Sequence, residues 1–182
     1  MRFNDRSVAI KILEGDIEAF EMFIDSFKSR VFSYCLRMTN DYSTAEELTQ
    51  DTFVKAYRGI SAYDWHKASL STWIYTICRN TCFNHLRDAA RQPGHYDLAG
   101  YEKQLSNRDD YLSLEQRICL YAALDRLTVE EREIILMKDY LDIAYHEIGQ
   151  IMGLPTGTVK SRIHSIRIKL RNFLASEEYH AK

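Results

Sequence analysis

Apolar residues recur along this chain at spacings of three and four, the period of helices that bury one face. A short helix is predicted from about Asn4 to Leu13, with Gly15 and Asp16 marking its end. Asp16 is placed to cap a second helix, whose apolar positions Ile17, Phe20, Phe23, Ile24, Phe27, Val31, Phe32, Cys35 and Leu36 carry it to about Thr39. Ser43-Thr44-Ala45-Glu46 has the form of a capping box, in which the Ser side chain takes a free backbone N–H and the Glu reaches back. It opens a third helix with Ala45, Leu48, Phe53, Val54 and Tyr57 toward a core. Gly59 to Ala68 breaks the period and reads as a loop, with Tyr63 and Trp65 beside His66 and Lys67. Ser69 can cap a fourth helix that runs through Trp73, Ile74, Ile77, Cys78, Cys82 and Leu86 to about Arg91.

From Gln92 to Ser113 no period is sustained, and the segment holds one Pro, two Gly, four acids and two bases. About 22 residues is too long for a connection inside a compact domain. The pattern therefore predicts an all-α protein of two small helical domains, residues 1–91 and 114–182, joined by a flexible linker at 92–113. The second domain opens with Ile118, Ala122, Leu124 and Leu127. Thr128-Val129-Glu130-Glu131 is another capping box, ahead of a helix through Ile134, Ile135 and Met137 to about Tyr140.

Tyr145 to Arg171 carries the sharpest pattern. Ile148, Ile151 and Met152 mark one apolar face, and Gly149 is small enough for a second helix to cross closely. Gly153 can take the left-handed conformation that ends a helix, and Pro155 suits the first turn of the next. Val159, Ile163, Ile166, Leu170 and Phe173 then form a buried stripe, while Lys160, His164, Arg167 and Arg171 repeat its spacing on an adjacent exposed face. Between Lys160 and Arg171 there are five Lys or Arg and no Asp or Glu. Two amphipathic helices and a Gly turn also occur in ordinary bundles, where a basic face is merely solvated. A helix-turn-helix whose second helix is basic and free of acids is, however, the usual device for entering a DNA major groove.

Composition fits this reading. A length of 182 residues suits one or two domains, 46% hydrophobic residues allow real cores, and seven Gly with two Pro favour long helices over sheets. No apolar run reaches bilayer length, and the N-terminal MRFNDRS lacks a signal peptide's apolar core, so a cytoplasmic protein without membrane insertion is expected. The four cysteines lie inside helical patterns, where reduced thiols are the default. A net charge of −2 is odd for a protein that grips DNA unaided, because neutralised phosphates supply much of such affinity. The charge is segregated: Asp41 to Asp51 holds four acids and no base, and Lys67 to Arg91 holds four bases and one acid. One face for a protein and another for nucleic acid would account for that.

No Gly-rich phosphate loop, Ser-His-Asp set or paired carboxylates stand out, so neither catalysis nor a cofactor is expected. Cys78, Cys82 and His85, spaced by four and three, are the best metal alternative. The two cysteines continue an apolar face, however, and a structural zinc site needs a fourth ligand; no metal is expected.

With these elements in hand, three segments resemble bacterial RNA polymerase sigma factors of the sigma-70 family, extracytoplasmic-function subfamily. Ala45–Ile60 looks like the family's polymerase-clamping segment, Ser69–Asp88 its −10 recognition and melting segment, and Ala123–Leu170 its −35-binding domain. The resemblance implies a non-catalytic initiation subunit that takes core RNA polymerase to promoter DNA and opens the −10 element. It also implies an anti-sigma factor as an expected partner. Glu46, Glu47, Gln50 and Asp51 would meet the clamp helices of the largest catalytic subunit. Tyr63, Trp65, His66 and Lys67 would pocket a flipped base, since stacking and edge hydrogen bonds offset the cost of unstacking. Asn80 and Asn84 would present amides to base edges, and Arg79, Arg87 and Arg91 would hold phosphates. Trp73 serves either the core or a nucleic-acid contact. In the last segment, Thr158, Lys160, Ser161, Arg162 and His164 lie where a recognition helix reads bases, with Arg167 and Arg171 placed for phosphate.

Departures from the family accompany the match. Asp142 and Ala144 stand where a Gly and a Ser or Thr cap are usual, a loss of about 1 kcal/mol unless Asp142 caps from two residues earlier. Ser165 replaces a common basic residue, and Phe83 and His85 are atypical. The two promoter elements lie about 85 Å apart, whereas a free 22-residue chain averages about 26 Å and stretches to about 75 Å. The linker would have to be held extended on polymerase. The rival is a stand-alone helix-turn-helix regulator, which would bind DNA tightly without polymerase.

Overall fold

A computed structural model describes residues 5–89 and 114–180. The proposed linker at 92–113, with Arg91, lies outside them. The chain divides into two compact units, Met1–Tyr96 and Asp97–Lys182.

The first unit contains α1 (Asp5–Leu13), α2 (Ile17–Thr39), α3 (Tyr42–Gly59) and α4 (Leu70–Ala89), with a short 3-10 turn at Ile60–Ala62. Asp16 caps α2 as expected, its carboxylate accepting the Ala19 N–H at 3.0 Å. The helix ends at Asn40, whose left-handed backbone (φ 56°) lets its N–H reach the Leu36 carbonyl.

The capping box expected at Ser43 does not form. Asp41 caps α3 instead, accepting the Thr44 N–H at 2.7 Å, and Ser43 falls inside the first turn. A carboxylate satisfies the free N–H and also meets the positive end of the helix, which a hydroxyl does only weakly. The starting point two residues earlier belongs with a core face different from the expected one. Val54 and Tyr57 are 46% and 52% exposed, while Thr49, Thr52 and Ala56 are buried with Ala45, Leu48 and Phe53. The two threonines are tolerated inside because their hydroxyls donate to the carbonyls of Ala45 and Leu48 at 2.6 and 2.7 Å. Around them Phe23, Val31, Tyr34, Leu70 and Ile74 fill the space where α2, α3 and α4 pack together.

The second unit contains α5 (Leu114–Asp125), α6 (Val129–Ile135), α7 (Tyr145–Met152) and α8 (Thr156–His180). Ala123, not Ala122, points inward from α5. The capping box at Thr128 forms as expected: Glu131 N–H donates to the Thr128 hydroxyl, and Thr128 N–H to the Glu131 carboxylate, both at 3.2 Å. The helix it opens does not stay α to its end. Leu136–Tyr140 widens into a π turn, closed by Leu141 N–H on the Leu136 carbonyl at 3.0 Å. Ile134, Met137, Ile148, Val159, Ile163 and Ile166 are fully buried and bring α6, α7 and α8 together.

Gly149 is tight for a reason other than helix crossing. A Cβ there would stand 2.7 Å from the Leu154 carbonyl oxygen, so the turn's own backbone makes the close approach. Gly153 takes φ 66°, as its position predicted. Pro155 lies one residue before α8, where its carbonyl accepts the Val159 N–H at 3.1 Å.

Candidate nucleic-acid interface

On α3, Glu46, Glu47, Gln50 and Asp51 are all exposed and, at these spacings, share one face. Asp51 lies 3.8 Å from Lys55, whose ammonium also donates to Thr81 of α4 at 3.1 Å. The strip begins at Glu46, beyond the first turn of α3; of the acids here, only the Asp41 cap meets the positive helix end.

The loop after α3 is built differently from expectation. Tyr63 is 6% exposed, its ring 5.1 Å from Trp73 and its hydroxyl donating to the Ala68 carbonyl at 2.9 Å. It braces the loop from within and has no face to offer a base. Burial, then the charges of Asp5 and Asp64, push its hydroxyl pKa up to about 12. Trp73, half-buried, shares that ring contact. Trp65 stays partly exposed with the Arg6 guanidinium 5.3 Å from its ring centroid and the His66 ring at 5.7 Å. Sequence separation hid Arg6, because nothing in a periodic pattern couples α1 to this loop. Asp5 reaches the same region, accepting the Leu70 N–H at 2.9 Å beside Ser69, whose hydroxyl caps α4 by accepting the Thr72 N–H at 3.1 Å. Asp64 ties the loop tip: it accepts the His66 N–H at 2.9 Å and pairs with Lys67 at 3.2 Å, contacts that lower its pKa.

On α4, Asn80 and Asn84 are exposed one turn apart, as their spacing predicts. Arg79 lies over the Phe83 ring at 4.7 Å, and Arg87 pairs with Asp88 at 3.3 Å. Both guanidiniums are therefore oriented by neighbours on their own helix.

On α8, Lys160, Ser161, Arg162, His164, Arg167 and Arg171 are exposed and Thr158 is half-buried. The strip is less uniform than its sequence. Arg167 sets its fork on Asp139 of the π turn, with Nε donating at 3.2 Å and a second nitrogen closer still, and this contact raises its pKa. The residue expected at phosphate is thus engaged by an acid of a neighbouring element. Lys169 is likewise paired with Glu131. Among the described residues, Lys160, Arg162 and Arg171 form no ion pair. Lys160 lies 5.8 Å from the Tyr145 ring. At the entrance to α7, Ala144 supplies no side-chain cap, but Glu147 accepts the Ala144 N–H at 3.3 Å. Asp142 does not cap either; it takes the left-handed conformation (φ 50°) and pairs with Lys138 at 2.8 Å.

The cysteines also assemble in a way the spacing did not reveal. Cys35 of α2 lies 3.6 Å from Cys78 and 3.5 Å from Cys82, sulfur to sulfur, while His85 stays apart. Hydrogen bonds from the two α4 thiols lower the Cys35 pKa, and burial raises that of Cys78.

A protein with one acidic strip, one amide-bearing basic helix and one helix-turn-helix, and no helix among the described residues long and apolar enough to cross a membrane, matches known proteins over most of its length. Residues 23–92 match the family description "Sigma-70 region 2", and residues 117–170 match "Sigma-70, region 4". The ECF RNA polymerase sigma factor SigW of Bacillus subtilis is 30% identical over 177 residues, covering 90% of this chain and 93% of that protein. The ECF RNA polymerase sigma-E factor of Escherichia coli is 28% identical over 182 residues, covering 94% of each. Among solved structures, the sigma factor RpoE in complex with the anti-sigma factor NepR from Bartonella quintana shares the fold, with a TM-score of 0.71 at 23% identity over 87% of this chain and 98% of that one. CnrH in complex with the cytosolic domain of CnrY does so with a TM-score of 0.72 at 21% identity, covering 94% and 97%. With both regions present in order and a full-length relative at this identity, the chain belongs to the ECF RNA polymerase sigma factors of the sigma-70 family, non-catalytic subunits that direct RNA polymerase to promoters.

Proposed function

We propose that the two units divide the sigma-factor task, residues 1–91 binding core polymerase and melting the −10 element, residues 114–182 reading the −35 element, and 92–113 spanning between them. The observation that carries this reading is the segregation of exposed charge: acids on α3, and on α8 bases that form no ion pair among the described residues. Glu46, Glu47, Gln50 and Asp51 dock on a basic polymerase surface. Asn80 and Asn84 read base edges, Trp65 with Arg6 and Lys67 stacks and steadies an extruded base, and Arg79 and Arg87 hold the strand. Unstacking costs a few kcal/mol, which stacking at about 1–3 kcal/mol per base and the amide contacts offset.

On α8, Thr158, Lys160, Ser161, Arg162 and His164 face base edges and Arg171 faces phosphate, while Arg167 positions the helix by holding the π turn. The protein acts in the cytoplasm, where polymerase is. An anti-sigma factor that covers the acidic and basic strips would silence both grips at once. The test is run-off transcription of genomic fragments by core polymerase with and without the protein. A defined new set of start sites is expected; tight site-specific DNA binding by the protein alone, with no new starts, would return the assignment to a stand-alone regulator.

A further inference from the structure

Cys35 projects from α2, and Cys78 and Cys82 from α4, one helical turn apart. All three are 0% exposed, and their sulfurs lie within 4.8 Å of one another. Three small apolar side chains in a core would account for burial alone. Convergence of three sulfurs from two helices on one point is the geometry of a ligand set. Two thiolates each about 2.3 Å from a tetrahedral ion stand about 3.8 Å apart, close to the 3.5 and 3.6 Å found between Cys35 and its partners.

Charge decides what such a set can hold. Among the described residues no fourth His, Cys, Asp or Glu joins the three. A divalent ion on three thiolates would leave one negative charge in the core, and a monovalent soft ion two; an uncompensated charge there is expensive. A trivalent thiophilic centre leaves none. We propose that Cys35, Cys78 and Cys82 form a binding site for a trivalent, thiol-seeking metalloid, for which arsenite is the probe. Neutral arsenous acid exchanges its three hydroxides for the three thiols. Three As–O bonds break, three As–S bonds form, the thiol protons leave in three waters, and no atom changes oxidation state. The product staples α2 to the helix that carries Asn80 and Asn84. Because the sulfurs are sealed from solvent, entry requires local opening of the unit, and capture is slower than for an exposed thiol.

The experiment uses the reduced full-length protein, incubated with arsenite, freed of excess and alkylated before intact-mass and peptide analysis. The expected result is one arsenic per chain with three hydrogens lost, Cys35, Cys78 and Cys82 protected, Cys119 alkylated, and an upward shift in Tm. Cys119→Ser should retain the adduct, and Cys82→Ser and Cys82→Ala should lose the tight form of it. If those Cys82 variants fail to fold, the wild-type chain decides by its adduct mass and by protection of the three cysteines that persists when alkylation is done in denaturant and is absent from an arsenite-free control. Alkylation of all four cysteines, protection of only two, or protection of Cys119 would overturn the site. Stoichiometric zinc that arsenite cannot displace would overturn the charge argument.

Discussion

Asp41 concentrates two effects in one side chain: it caps α3 and meets the helix's positive end. Asp41→Ala should destabilise the first unit by about 1 kcal/mol, while Ser43→Ala should stay within about 0.5 kcal/mol, both read by chemical denaturation. The hydrogen bonds from Thr44 hold the Asp41 carboxyl below its usual range. A depressed folded-state pKa means the contribution is complete above the unfolded value, about 3.9, and is lost as pH falls through the folded one. Asp41→Asn should therefore keep the cap yet flatten that part of the acid limb of Tm against pH, because an amide does not titrate. Equal acid limbs in the two proteins would show that the carboxylate's charge contributes nothing. Asp16 and Thr128 were legible from sequence because each immediately precedes a clean period. Asp41 was not, since Ser43 and Glu46 offered a complete box two residues later and only the buried Thr49 and Thr52 reveal the true phase of the helix.

At the scale of the element, the helix-turn-helix was the most legible part of the chain, because its glycines, proline and apolar spacing all agree. What the pattern did not show was contact between elements: Arg167 on Asp139, and the turn backbone against Gly149. Gly149→Ala should cost about 1–3 kcal/mol in the second unit, since the Leu154 carbonyl has to move for a methyl to fit. An unchanged melting profile would contradict that crowding. The two basic residues at Lys160 and Arg167 should also separate in function. Lys160→Ala should lower the salt slope of holoenzyme binding to promoter DNA by about 0.9 if it neutralises one phosphate, or relax base choice at one position if it reads an edge. Arg167→Ala should do neither strongly and instead loosen the π turn. An Arg167→Ala slope change as large as that of Lys160→Ala would make it a phosphate ligand after all. The loop after α3 was the least legible element: an aromatic-rich stretch invites a stacking role, but Tyr63 is spent bracing it and Arg6 enters from a distant helix.

For the whole molecule, a net charge of −2 is consistent with a protein whose DNA affinity is borrowed from polymerase. On the proposed division of roles, the acids on α3 make the enzyme the first partner, and the bases on α8 and amides on α4 act once it is bound. The family order of segments was readable from the sequence, whereas the approach of Cys35 to Cys78 and Cys82 was not, because separations of 43 and 47 residues carry no periodic signal. The division of labour between selecting and opening is tested most directly by permanganate footprinting of a promoter identified with this holoenzyme, comparing wild type with the Asn80→Ala/Asn84→Ala variant. The account predicts that the variant holoenzyme still retains duplex promoter DNA while thymines of the −10 element stay unreactive. Thymine reactivity equal to wild type, or loss of duplex binding in step with opening, would contradict it.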